Sequence, residues 1–82
     1  MPESKHRLSL LTRPQCHLCD AARDTVRRVA ADLEVDWEEV SIAGDETLSE
    51  QYGEEIPVLL IDGVQRDFWQ IDEVRLRRLL SS

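Results

Sequence analysis

With two cysteines in 82 residues, the chain lacks the material for a disulfide-rich scaffold. It has no apolar run long enough to span a bilayer. Its polar start, Met1-Pro2-Glu3-Ser4-Lys5-His6-Arg7, lacks the hydrophobic region of a signal peptide. A cytoplasmic protein with no membrane partner is therefore expected. Positive charge is also scarce: ten Lys and Arg against seventeen Asp and Glu leave a net charge of −7. That balance disfavours nucleic acid, where neutralisation of phosphates supplies most of the affinity. The acids Glu38, Glu39, Asp45, Glu46, Glu50, Glu54 and Glu55 gather in the middle of the chain and read as a solvated face. No repeat, linker or low-complexity stretch divides the chain. Residues 1–82 are expected to form one domain, acting as a monomer.

What the chain does have is concentrated in Thr12-Arg13-Pro14-Gln15-Cys16-His17-Leu18-Cys19, which holds both cysteines. A staple would join distant segments. On the chain-entropy model, closing so short a loop stabilises by roughly 2 kcal/mol, against ~4–5 for a loop near 100 residues. Chemistry is the better account of the pair. Cys16 falls where a helix N-terminus stabilises a thiolate, and Arg13 and a protonated His17 add positive charge nearby. Cys19, one turn further in, is expected to be more enclosed and to stay protonated until it resolves a mixed disulfide.

The surrounding pattern alternates strands and helices. Arg7 to Thr12, with Leu8, Leu10 and Leu11, suits a short buried strand that Pro14 ends. Leu18, Ala22, Val26, Val29 and Leu33 form a helical stripe, so a helix is expected from at or just after Cys16 to near Leu33. Asp24 and Arg28 are spaced for an i,i+4 ion pair. Val35 to Ile42 reads as a strand of edge type, Ala43-Gly44-Asp45 as a turn, and Glu46 to Tyr52 as a short helix capped by Gly53. The segment Glu54-Glu55-Ile56-Pro57-Val58-Leu59-Leu60-Ile61, the most hydrophobic in the chain, suggests a central strand covered on both faces, and Asp62-Gly63 a hairpin turn into Val64–Phe68. Ile71, Val74, Leu76, Leu79 and Leu80 give the last helix its apolar side, with Asp72 as N-cap. The first strand–helix–strand should be a right-handed parallel unit, and the final hairpin antiparallel.

This order, with Cys16-x-x-Cys19 opening the first helix and Ile56-Pro57 opening the third strand, resembles the thioredoxin fold. The chain is similar to the small glutaredoxin-like proteins of bacteria, from about Leu8 to Leu80. The resemblance implies an α/β domain of order β-α-β-α-β-β-α, with a four-stranded mixed sheet and three flanking helices. It implies a thiol–disulfide oxidoreductase with Cys16 as the attacking and Cys19 as the resolving cysteine. Arg13 then stands where glutaredoxins carry a basic residue that helps bind glutathione, and Ile56-Pro57 matches their cis-proline motif facing the cysteines. The chain departs from the pattern at two places. His17-Leu18 replaces the usual Pro-Tyr pair. Phe68-Trp69-Gln70-Ile71 fills the place of a Gly-Gly pair, leaving Asp72 as the counterpart of the aspartate that receives the γ-glutamyl end of glutathione.

The expected substrate-side residues are therefore Arg13, His17, Ile56, Pro57, Trp69 and Asp72. Trp37, Tyr52 and Phe68 are expected to pack, while Trp69 lies on the side where a substrate groove should run. No resident cofactor or metal is expected; glutathione or another low-molecular-weight thiol is a possible co-substrate. The partners implied are a disulfide-containing protein or small thiol, and a reductase or low-molecular-weight thiol as reductant. Two rival readings remain open. One is a non-catalytic interaction module on the same fold. The other is a metal site: zinc would need ligands beyond the cysteines, for which only His6 and His17 are of the usual type, and an iron–sulfur cluster would be shared between two chains.

Overall fold

Leu8, Leu10 and Leu11 lie in β1 (Leu8–Thr12), a strand with almost no exposed side chain. The computed structural model describes residues 6–81, so the polar residues 1–5 lie outside the described part. After β1 follow α1 (His17–Leu33), β2 (Trp37–Ser41), α2 (Glu46–Tyr52), β3 (Val58–Ile61), β4 (Val64–Phe68) and α3 (Glu73–Leu80). The strands form one sheet in the order β2-β1-β3-β4. β1 pairs parallel with β2 and antiparallel with β3, and β3 pairs antiparallel with β4. This is the expected four-stranded mixed sheet, with β3 central and β2 at an edge.

The period-two geometry of strands divides the core into two layers. Leu8, Leu10, Leu59 and Ile61 face one way and pack with Ala22, Val26 and Val29 of α1 and Leu76 and Leu80 of α3. Leu11 and Val58 face the other way and pack with Cys19, Ile42 and Ile56, with Leu48 and Tyr52 of α2 against them. The second layer contains Cys19. It ties the N-terminal end of α1 directly to the strand that follows Pro57.

Local signals account for the element ends. Asp45 caps α2 by accepting the Leu48 N–H, and Asp72 caps α3 by accepting the Arg75 N–H. Asp62 and Gly63 both have positive φ, 56° and 82°, as a type I′ hairpin turn requires. Gly53 caps α2 as expected, but with right-handed backbone at φ −55°. A Cβ there would press on the Ser49 carbonyl, so a close approach to backbone is what demands the glycine.

Several expectations are corrected. Leu18 and Leu33, assigned to the buried stripe of α1, are 41% and 37% exposed. The cause is length. Seventeen helical residues span roughly 25 Å, whereas strands of four or five residues span roughly 13–17 Å, so both ends of α1 overhang the sheet. Val74 of α3 is likewise exposed. The third strand begins at Val58, after Pro57, and β2 is shorter than the Val35–Ile42 run.

The Asp24–Arg28 pair does not form. Arg28 reaches across to Glu73 of α3, 2.9 Å away, and Asp24 lies 3.4 Å from Arg27. Arg77 adds contacts to Asp32 and Glu73, so ion pairs fasten α3 to α1. Hydrogen bonds from Arg28 and then Arg77 lower the Glu73 carboxyl from 4.5 to about 2. Because the folded-state value lies below the unfolded one, this contribution is complete above about pH 4.5 and is lost as pH falls towards about 2. Thermal unfolding followed across that window should show a falling midpoint. Glu73→Gln should flatten the dependence; an unchanged slope would count against the pair.

Candidate active site

The site is built where β1 hands over to α1. Arg13 precedes Pro14, Gln15 turns the chain with φ 58°, and Cys16 follows in extended geometry as the N-cap of α1. A cysteine thus fills a position usually held by Ser, Thr, Asp or Asn. Its Sγ accepts the Cys19 backbone N–H at 3.1 Å, and its carbonyl accepts the Asp20 N–H at 3.2 Å. The Cys16 sulfur thus takes up one of the N–H groups that have no partner within the helix, at the N-terminal end of 17 helical residues.

The two thiols differ sharply in environment. Cys16 is half-buried, and Cys19 is 1% exposed among Leu11, Ile42, Ile56 and Val58. Burial pushes the Cys19 thiol up to about 11, helped by its hydrogen bond to the Cys16 side chain; the Arg13 backbone pulls the other way. Cys19 therefore stays a thiol at neutral pH while Cys16 meets solvent. Iodoacetamide near neutral pH should modify Cys16 at least about tenfold faster than Cys19, read by mass spectrometry of the digested chain. Equal labelling would show that the enclosure of Cys19 is not maintained in solution.

Opposite the cysteines, Ile56-Pro57 is a cis peptide. Pro57 is fully buried, and Ile56 belongs to the cluster against which Cys16 packs. The Pro57 carbonyl accepts the Trp69 N–H at 2.9 Å. Trp69 adopts φ 64°, a left-handed conformation that is strained for a bulky residue. Its indole Nε1 donates to the Glu54 carbonyl at 3.0 Å, and its ring meets that of Phe68 edge to face at 5.0 Å. These contacts hold in place a side chain that remains 52% exposed.

A groove of about 560 Å³ runs from Arg13 and Leu18 past Ile56 to Trp69. Two of its lining residues, Arg13 and Leu18, flank Cys16 in the chain, and a third, Ile56, belongs to the cluster against which Cys16 packs. Of the expected residues, Arg13, Ile56 and Trp69 line it. His17 is exposed on the first turn of α1 outside this lining, and Asp72 caps α3 through its carboxylate. Among the described residues, no three His, Cys, Asp or Glu side chains gather into a ligand set.

A family profile described as glutaredoxin-like domain (DUF836) matches residues 7–81. The chain belongs to the glutaredoxin-like domain family. An uncharacterized protein of Mycobacterium tuberculosis is 29% identical over 79 residues, covering 90% of this chain and 81% of that protein. Among solved structures, a structural-genomics target protein from X. campestris is 34% identical with a TM-score of 0.76, covering 90% and 95% of the two chains. A protein from Nitrosomonas europaea superposes at TM-score 0.81 with 22% identity, covering 96% and 94%. Fasciola hepatica thioredoxin reaches 0.65 with 20% identity, covering 96% of this chain and 81% of its own. The last two likenesses establish the thioredoxin-like fold.

Sequence reasoning missed part of this glutaredoxin-like domain's groove. Leu18, Glu54, Asp67, Phe68 and Gln70 line it as well. Leu18 had been counted in the core stripe, and Phe68, 40% exposed, among packing residues. The one available signal was the adjacent bulky pair Phe68-Trp69 shortly before α3. Glu54 gave none, because it reaches the groove through the fold and not through any local pattern.

Proposed function

We propose that this glutaredoxin-like protein is a dithiol–disulfide oxidoreductase. The observation that supports it most is the asymmetry of the pair: Cys16 is an accessible N-cap sulfur, and Cys19 is a buried thiol directly behind it. The Cys16 thiolate attacks one sulfur of a substrate disulfide, forming a mixed disulfide and releasing the other substrate sulfur as a thiolate that takes a proton from water. Cys19 then attacks Cys16 Sγ, its proton passing to the departing substrate sulfur. The Cys16–Cys19 disulfide forms and the second substrate thiol leaves. Two electrons have passed from the dithiol to the substrate, and no metal or organic cofactor takes part.

Return to the dithiol needs a low-molecular-weight thiol such as glutathione, or a dithiol reductase, as electron donor. Such a cycle suits the reducing cytoplasm. Both thiols lie on one chain, so a monomer suffices. The test is reduction of bis(2-hydroxyethyl) disulfide, an uncharged substrate, by the pre-reduced protein. Stoichiometric formation of 2-mercaptoethanol with loss of both protein thiols is expected. Absence of exchange in folded, reduced protein would leave a binding module in its place.

A further inference from the structure

Beside the cysteines, the groove is unusual in chemistry as well as shape. Its floor is apolar and open: Leu18, Phe68 and Trp69 are large hydrophobic side chains 41%, 40% and 52% exposed. Trp69 is held rigidly by its indole hydrogen bond, its backbone N–H and the Phe68 ring, so little ordering entropy remains to be lost when a ligand stacks on it.

Charge gives the groove a direction. Arg13 comes from the segment leading into α1, while Glu54 and Asp67 come with Trp69 and Phe68, to which they are hydrogen-bonded. Asp67 turns its carboxylate to the Phe68 and Asp72 N–H groups. The Glu54 carboxylate makes no hydrogen bond or ion pair among the described residues. Beyond Trp69 lies a second hollow, lined by Glu50 and Glu54, that continues the acidic path.

We infer that Trp69 and Glu54 determine specificity, and that the groove selects disulfide-bonded peptide segments with an aromatic or aliphatic residue, followed by Lys or Arg, beside the reacting cysteine. The apolar side chain stacks on Trp69 and Phe68, and the cation meets Glu54. Glutathione fits poorly by the same chemistry. It brings two carboxylates to a groove with one guanidinium, and one of them must face Glu54 and Asp67 without a cation. This inference rests on the exchange reading, and deepens it to a substrate class.

The test compares second-order rate constants for single-turnover reduction, by the pre-reduced protein, of disulfide-linked peptides of equal length whose cysteine is flanked by Phe-Lys, Phe-Glu or Gly-Gly. Glutathione disulfide and uncharged bis(2-hydroxyethyl) disulfide are measured alongside. The Phe-Lys peptide should exceed the Gly-Gly peptide about tenfold, and the Phe-Glu peptide by about three- to fivefold at low salt, the latter margin shrinking as salt rises. Trp69→Gly suits the positive φ of that position and should bring the aromatic preference to within about twofold. Glu54→Gln should erase the charge preference and its salt dependence while sparing the aromatic one, and it keeps the test decisive if the Trp69 variant fails to fold. Reduction of bis(2-hydroxyethyl) disulfide with all peptides alike, or with glutathione disulfide preferred, would overturn the inference and leave the exchange reading standing. Failure to reduce any of them would end both.

Discussion

Cys16→Ser should lower disulfide reduction by about a thousandfold or more, to the background rate, because the other sulfur of the site, Cys19, is only 1% exposed and poorly placed to begin the exchange. Cys19→Ser should behave differently. Its Cys16 retains the N-cap geometry, since the contact that holds Sγ comes from the backbone N–H of residue 19 and not from the side chain. The first attack proceeds, the mixed disulfide cannot be resolved internally, and a covalent adduct accumulates at a mass equal to protein plus one substrate thiol. The same variant, incubated with a cell lysate, should retain its natural partners for identification. If the two serine variants lose the initial attack equally, the assignment of attacking and resolving roles is wrong. If Cys19→Ser alone fails to form any adduct, Cys19 is the entry point, which its 1% exposure argues against.

The largest effect on stability is expected at Leu59. It is fully buried in central β3, opposite Leu10 of β1, and belongs to the core layer covered by α1 and α3. Leu59→Ala removes a side chain from a site closed on both sides, costing about 2–5 kcal/mol by transfer and cavity terms together. A chain of 82 residues has of the order of 4–12 kcal/mol to lose, from roughly 0.05–0.15 per residue. The substitution should therefore lower the urea midpoint markedly and the thermal midpoint by about 10 °C or more. Leu33→Ala is the matched control. That side chain is 37% exposed where α1 overhangs the sheet, so its loss should cost under about 1 kcal/mol. A cost at Leu33 similar to that at Leu59 would mean that the C-terminal end of α1 is covered and does not overhang the sheet.

The comparison of Leu33 with Leu59 also shows where sequence reading stopped. A stripe of apolar residues at helical spacing identifies the buried face of α1, but not how far along the helix the sheet extends. That extent depends on strands contributed by other parts of the chain. Arg28 makes the same point for charge. Its local partner at the favourable spacing, Asp24, lost to Glu73, 45 residues away, because packing of α3 on α1 brought a better-placed carboxylate. The cysteine pair was legible because both thiols and the helix start lie within one turn. The groove was legible only in part, since its far wall comes from the segments around Glu54 and Trp69.

By itself the sequence determined what neighbours along the chain decide. It set the order of seven elements, the caps at Asp45 and Asp72, the positive-φ turn at Asp62-Gly63, and the placement of Cys16 at a helix start. Each depends on hydrogen bonds or dihedral preferences spanning no more than a few residues, so the residue types are enough. Only the tertiary structure decided that Cys19 is enclosed by Leu11, Ile42, Ile56 and Val58, which pushes its thiol up to about 11. It alone turned Leu18 outward, and brought the Trp69 indole to a carbonyl 15 residues earlier. Exposure and electrostatic environment are properties of what packs around a residue. Here that surrounding comes from strands and loops far away in the chain, where no local spacing records them.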